Sequence, residues 1–172
     1  MLAADPMPGH ATAFVREVLM PGGPAQVARL VPEACAFRLR IARSRIHRWG
    51  VYADEDIPAR RRLIEYTGQR IGLAEAWRRR LRPQLYLFRC SARRWIDGGI
   101  GGSGAQYINH GCVPNLVASF DHGRVHLRSL RRILAGEELL LDYQVRGDID
   151  PIPCRCGARG CRGVLNAVDD GS

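Results

Sequence analysis

The run INHGCVPN at residues 108–115 brings an asparagine, a histidine and a cysteine together in a segment closed by Val-Pro-Asn. Pro114 and Asn115 mark a polar turn. Downstream, GEELLLDY at residues 136–143 leads from a Gly-Glu-Glu turn into an apolar strand ending at Asp142 and Tyr143. Past a polar linker, RGDIDPIP, lies CRCGARGC, in which Cys154, Cys156 and Cys161 supply three soft ligands within eight residues. A structural zinc site closes with four ligands, so a fourth must come from elsewhere. Cys112 is the best candidate, because Cys35 and Cys90 lie in apolar surroundings and read as ordinary buried thiols. Six cysteines without a secretion signal argue for metal or free thiols rather than a disulfide framework.

The 172 residues fit one domain with extensions, and 46% apolar composition suffices for a real core, which excludes a disordered or fibrous chain. No run approaches the ~18 apolar residues of a membrane span, and Arg16 and Glu17 fall where a signal peptide needs its apolar stretch. A soluble, cytoplasmic protein with no membrane partner is the expectation. The net charge of +9 points to an acidic or nucleoprotein partner, with a solvated basic face as the plain alternative. All 26 basic residues are arginine, in runs such as Arg60–Arg62, Arg78–Arg80 and Arg131–Arg132, which suggests a GC-rich coding genome.

From Phe37 onward short strand-like runs recur: FRLRIA, WGVYA, LIEYTG, LYLFRC, RWID, LVASF, RVHLRSL and ELLLDY. The fold class is therefore mainly β with short helices. One helix is predicted in LAEAWRRRLR, with Leu73, Ala76, Trp77 and Leu81 on its apolar face and Pro83 as its stop. Residues 1–35, rich in Pro, Gly and Ala, read as a loosely ordered N-terminal extension.

Several of these segments resemble the signatures of SET-domain protein-lysine methyltransferases. INHGCVPN resembles their NHSCxPN motif and GEELLLDY their second motif. SRIHRWGVYA resembles the cofactor-binding segment, IEYTGQRI and YLFRC the next two strands, and CRCGARGC the post-SET cysteine pattern. The blocks follow the family's order over residues 37 to 165. The resemblance implies a SET domain over 36–146 and a linker with a zinc-binding post-SET segment over 147–172. It also implies small curled β-sheets with a knot-like threading of the NHGC segment and the segment ending at Tyr143.

By the same resemblance, S-adenosylmethionine is the methyl donor and a protein lysine the acceptor, on a histone or another basic protein. Tyr143 is then the catalytic tyrosine, with Tyr66 and Tyr86 lining the lysine channel. His47, Arg48, Trp49, Tyr86, Asn109, His110 and Arg155 match cofactor-binding positions, and Cys112, Cys154, Cys156 and Cys161 match the zinc ligands. Leu141 stands where the family usually has Phe or Tyr, a position that bears on how many methyl groups are added. The chemistry agrees: in-line transfer to an amine needs aligned, uncharged partners, and tyrosines orient an amine without adding charge. His10, His122 and His126 read as ordinary polar residues. Departures from the family pattern include Arg48 for glycine, Gln69 for glutamate, Gly99 for Thr, Ser103 for Asn, Gln106 for arginine and Gly111 for serine. The competing expectation is a catalytically silent SET module that binds a protein or nucleic acid through its basic surface. Localisation follows the source: nuclear if eukaryotic, cytoplasmic or nucleoid-associated if bacterial.

Overall fold

Alternation sets the strands. In RVHLRS, Val125 and Leu127 are fully buried while Arg124, His126 and Arg128 turn the other way, the period-2 signature of a sheet with one face on a core. The turn before it, Asp121-His122-Gly123-Arg124, has both central residues at positive φ (44° and 76°), as a tight two-residue hairpin requires. A computed structural model describes residues 28–80, 82, 85–145 and 150–167. Its strands are β1 (Leu39–Arg43), β2 (Trp49–Ala53), β3 (Arg62–Glu65), β4 (Gln69–Gly72), β5 (Leu87–Arg89), β6 (Arg94–Asp97), β7 (Asn109–His110), β8 (Leu116–Asp121), β9 (Arg124–Ser129) and β10 (Leu140–Leu141). The helix is α1 (Leu73–Arg79).

The strands form three small sheets, ordered β1-β2, β3-β9-β8-β10-β7 and β4-β6-β5. They close on one core, in which Val51, Ala53, Ile57, Leu63, Leu127, Ile133 and Leu139 are completely buried. Each of the Val, Ile and Leu side chains among them contributes about 1.5–3 kcal/mol of burial. Leu30 and Cys35 pack on this core, and Val31 donates its N–H to the Ser103 carbonyl, so residues 30–35 are docked on the domain. The expected loose extension over 1–35 otherwise falls on residues 1–27, outside the described residues. No helix among the described residues is long and apolar enough to cross a membrane.

Two details differ from the sequence pattern. In α1 the buried positions are Ala76 and Arg79, while Leu73 and Trp77 are 42% and 44% exposed. Arg79 turns inward because Asp97, only 5% exposed, takes its guanidinium at 2.6 Å, while Glu75 takes its Nε at 2.6 Å. Trp77 instead lies under the Arg80 guanidinium, 4.1 Å from the ring centre. Leu81 and Pro83, the predicted end of this helix, lie outside the described residues. The run ELLLDY keeps only Leu140–Leu141 as strand, because Asp142 and Tyr143 leave the ladder for the partners described next.

Candidate active site and cysteine centre

β10 runs parallel to both β7 and β8 and lies between them, so the chain from His110 to Leu116 must pass over it. Asn115, 3% exposed, holds this crossing: its Nδ2 donates to the Glu138 carbonyl (2.8 Å) and its Oδ1 accepts the Leu140 N–H (2.8 Å). Gly111 donates to the Leu141 carbonyl at 3.1 Å. The two chemistry-rich segments are thus threaded together, and Asp142 and Tyr143 emerge where they meet.

Tyr143 donates its hydroxyl to the Ile108 carbonyl (2.8 Å), and its backbone N–H goes to His110 Nδ1 (3.2 Å). Its ring meets the His110 ring edge-on, with centroids 5.4 Å apart. The residue leaves 44% of its surface open although its hydroxyl is enclosed. Burial is the main reason its pKa rises far above the usual phenol value, with the Tyr86 phenol and the Glu138 carboxylate adding to the rise. Tyr66 is buried and donates to the Tyr86 carbonyl at 2.8 Å. Burial raises its pKa too, and the neighbouring Tyr143, Asp97 and Tyr86 add to that. Tyr86 is half-buried, its ring edge-on to Tyr107 with centroids 5.6 Å apart, and Phe88 packs 4.9 Å from the Tyr66 ring. Tyr66, Tyr86 and Tyr143 therefore gather as neutral hydroxyl donors at ordinary pH, unable to serve as strong bases.

The segment His47–Trp49 is tied to the same junction. Asn109, on β7 and 5% exposed, donates its amide to the carbonyls of Trp49 (2.9 Å) and His47 (3.4 Å) and to Glu138 Oε1 (2.8 Å). Glu138 Oε2 accepts the Tyr52 hydroxyl at 3.1 Å. Arg48 has φ 35°, in the left-handed region, which explains why glycine suits this position and why arginine here is strained. The Arg43 guanidinium lies 4.4 Å over the Trp49 ring. A Cβ on Gly50 would come within 2.3 Å of Glu138 Oε1. Gly50→Ala is therefore expected to push Glu138 off Asn109 and Tyr52 and to destabilise the protein by about 1–3 kcal/mol, read as a lower denaturation midpoint. An unchanged midpoint would show that Glu138 does not hold this segment.

The sulfurs of Cys112, Cys154, Cys156 and Cys161 lie within 4.8 Å of one another, with Cys112 at 3.6 Å from Cys154 and 3.9 Å from Cys161. Zn–S bonds of about 2.3 Å in a tetrahedron place sulfurs roughly 3.8 Å apart, so this set fits one zinc ion. Backbone N–H groups of Cys156 and Gly163 point to the sulfurs of Cys154 and Cys161, both at 3.4 Å. Burial opposes ionisation of Cys156, but N–H groups and neighbouring thiols outweigh it and bring its pKa to about 7. Cys35 and Cys90 stay apart, half-buried against the core, and burial raises both thiols.

His110, 3% exposed, links this centre to Tyr143. Its Nδ1 accepts the Tyr143 N–H, so Nε2 carries the hydrogen and faces Cys112 Sγ at 3.3 Å. Both ring nitrogens are used inside the protein, and burial keeps the imidazole neutral by lowering its pKa. A second link is ionic. Arg162, next to Cys161, grips Asp142 through two bonds of 2.7 and 2.8 Å and donates to the carbonyls of Asn166 and Leu165 (2.9 and 3.1 Å). Burial alone would raise the Asp142 carboxyl, but Arg162 and the Gln144 N–H hold it below its usual range.

The SET domain family profile matches residues 48–144. This chain belongs to the SET-domain family. Within it, the chain is 39% identical over 141 residues to a histone-lysine N-methyltransferase, H3 lysine-4 specific, of Aspergillus oryzae, covering 74% of this chain and 12% of that protein. It is 40% identical over 138 residues to the H3 lysine-4 specific enzyme of Saccharomyces cerevisiae, covering 73% of this chain and 13% of that one. Histone-lysine N-methyltransferase set-2 of Caenorhabditis elegans is 41% identical over 74% of this chain and 9% of its own length. The chain therefore spans about an eighth or less of these relatives. Among solved structures, a chain in the crystal structure of an active polycomb repressive complex 2 in the basal state aligns at TM-score 0.58 and 32% identity, over 62% of this chain and 15% of that one.

Within this SET domain the expected residues fall into two groups. Tyr66, Tyr86, Tyr143, Asn109, His110 and the segment His47–Trp49 converge on the threaded junction, and the four cysteines come together beside it. Arg155 stays exposed between Cys154 and Cys156, and Leu141 packs partly against the core, opposite His110 and Leu116. Glu138, Asn115, Asp142 and Arg162 are the residues that motif reading passed over. The Glu-Glu pair of the second motif was the signal available for Glu138, while the Arg162–Asp142 pair joins positions 20 residues apart with no local pattern to announce it.

Proposed function

We propose that this chain is an S-adenosylmethionine-dependent protein-lysine N-methyltransferase, acting on a histone or another basic protein. The observation that carries the reading is the cluster of neutral tyrosine hydroxyls, Tyr66, Tyr86 and Tyr143, at the junction of β7 and β10, with Tyr143 open on one side. The Glu138 carboxylate, held by Asn109 and Tyr52, stands beside the 47–49 segment and supplies negative charge near the positions proposed for a cationic donor, and the residues present fit such a group. When bound, the donor supplies an electrophilic methyl. His47, Arg48, Trp49, Tyr86, Asn109, His110 and Arg155 are the positions proposed to hold it, Asn109 by fixing the carbonyls of the 47–49 segment. Tyr143 and Tyr66 orient the incoming amine and keep it uncharged by excluding water. The domain boundaries proposed are 36–146 for the SET domain and 147–172 for the linker and zinc-binding segment.

One zinc ion held by Cys112, Cys154, Cys156 and Cys161 would lock the 150–167 segment against the junction, in concert with His110 and the Arg162–Asp142 pair. The curated relatives reported are all eukaryotic histone methyltransferases, so a nuclear location follows for a eukaryotic source. Transfer of labelled methyl from the donor to histones, compared with a Tyr143→Phe control, tests the activity. A folded protein that binds the donor yet labels nothing would instead favour the silent module.

Leu141 bears on product number. Leucine offers no hydroxyl to anchor a water beside the amine, so a methylated amine is freer to rotate into line again. The wild-type protein is expected to proceed beyond monomethylation, and Leu141→Tyr to shift product toward monomethyl-lysine. Mass spectrometry of a substrate peptide at long reaction times reads this. A wild-type protein that stalls at one methyl would overturn the role given to Leu141. The chain has no lysine of its own, so it cannot methylate itself on lysine.

A further inference from the structure

The arginine run 60–62 has no part in the chemistry above. Arg60, Arg61 and Arg62, with Arg128, Ala36 and Phe37, line an open cleft of about 470 Å³. The backbone beneath it is specifically shaped. Arg60 has φ 60°, a left-handed conformation that a side chain disfavours. β3 also slips register against β9 between Arg62 and Ile64, a bulge that re-aims side chains. Ser129, 2% exposed, pins the turn: its Oγ accepts the Arg61 N–H (2.9 Å) and donates to the Pro58 carbonyl (2.7 Å), and its own carbonyl accepts the Arg60 N–H (2.9 Å). Arg128 donates a guanidinium N–H to the Arg60 carbonyl at 3.2 Å, so it belongs to the same frame.

The charge in the cleft is largely unanswered. Arg62 pairs with Asp121 at 2.8 Å. Among the described residues, no ion pair is formed by Arg60, Arg61 or Arg128, so three of the arginines that line the cleft have no carboxylate partner. Like charges along one cleft repel one another, and an anion seated among them relieves that repulsion. Guanidinium forks match the paired oxygens of a phosphodiester, and Phe37, half-buried against the core, lines the same cleft. The cleft is also separate from the tyrosine cluster, since the four-residue step from Arg62 to Tyr66 spans about 13 Å of extended chain. A basic substrate tail would be repelled by it.

We propose that this cleft binds the phosphate backbone of a nucleic acid, without base specificity, and so holds the protein beside a nucleoprotein target. Binding does not depend on the methyltransferase reading, and it is measured separately from it. The test is fluorescence anisotropy of short labelled single-stranded RNA, single-stranded DNA and duplex DNA over a salt series. The wild-type chain is compared with the triple variant Arg60→Gln, Arg61→Gln, Arg128→Gln. The triple variant is expected to bind at least about tenfold more weakly, with the slope of log affinity against log salt smaller by about 2–3, since each lost phosphate contact removes roughly 0.7–0.9. Its methyl transfer to a free peptide should stay at the wild-type level. The single variant Arg60→Gly, which relieves the left-handed strain, should keep or raise the melting temperature while lowering affinity, so loss of binding is not loss of fold. Removing three arginines elsewhere, Arg89→Gln, Arg93→Gln and Arg94→Gln, should cost much less affinity. Absence of binding, equal loss in this control, or equally good competition by polyglutamate would overturn the proposal, the last in favour of an acidic protein surface.

Discussion

Tyr143→Phe is expected to lower methyl transfer by about a hundredfold or more while the protein stays folded. The change removes one hydroxyl, the one that donates to the Ile108 carbonyl at 2.8 Å and stands beside the Tyr66 and Tyr86 phenols. An amine must be aligned and uncharged to attack, and misplacement by a fraction of an ångström is costly in rate, with positioned proton-handling groups contributing typically 10²–10⁴-fold. The structural loss is small by comparison. One hydrogen bond to a backbone carbonyl contributes about 1 kcal/mol, which for a chain of this size lowers the melting temperature by roughly 2–4 °C. The ring and its contact with His110 remain, and so does the Tyr143 N–H bond to His110 Nδ1. Label incorporation measured beside a thermal melt separates the two effects. Near wild-type turnover would remove Tyr143 from the catalytic role.

The second large effect is expected from Cys154→Ser. A serine hydroxyl is a poor substitute for a thiolate at a four-sulfur zinc site, and Cys154 sits 3.6 Å from Cys112 and accepts the Cys156 N–H. Zinc measured by elemental analysis should fall from one ion per chain toward none. What then holds the 150–167 segment to the rest of the protein is the Arg162–Asp142 pair and the bridge from Val145 to Asn166, while the bridge from Pro153 to Val164 closes the segment on itself. Hydrogen exchange should accelerate there, while β3, β8 and β9 remain protected by their own ladder. Methyl transfer should drop with it, because Asp142 and His110 connect this segment to Tyr143 on both sides. Undiminished zinc in the variant, or an active wild-type protein that contains none, would refute the four-cysteine site.

What could be read from residues alone, and what could not, divides along sequence distance. CRCGARGC and INHGCVPN are dense in residues whose chemistry is specific at short range, and the alternation in RVHLRS sets a strand without help from tertiary structure. Family resemblance then supplied the order of the blocks and the tyrosine roles. The supports of the site were hidden. Glu138 reaches Asn109 across 29 positions, and Arg79 turns inward to Asp97 across 18, so a residue that composition assigns to a solvated helix face is buried. The same competition exposed Leu73 and Trp77 and shortened the expected ELLLDY strand, whose last residues find partners at Arg162 and Ile108 instead of in a ladder. IEYTGQRI reads as one strand but divides into the end of β3 and β4, with Tyr66-Thr67-Gly68 between them, and β7 is too short, at Asn-His, to show a period.

The most direct test of the central claim is methyl transfer to histone lysines. The full chain, loaded with zinc, is incubated with S-adenosylmethionine and histones, and products are read by mass spectrometry, with Tyr143→Phe run in parallel. The prediction is methylation mapped to lysine in the wild-type reaction and its near-complete loss in the variant. A wild-type protein that is folded, zinc-bound and able to bind the donor, yet adds no methyl group to any histone or to any other basic protein of a cognate lysate, would contradict it.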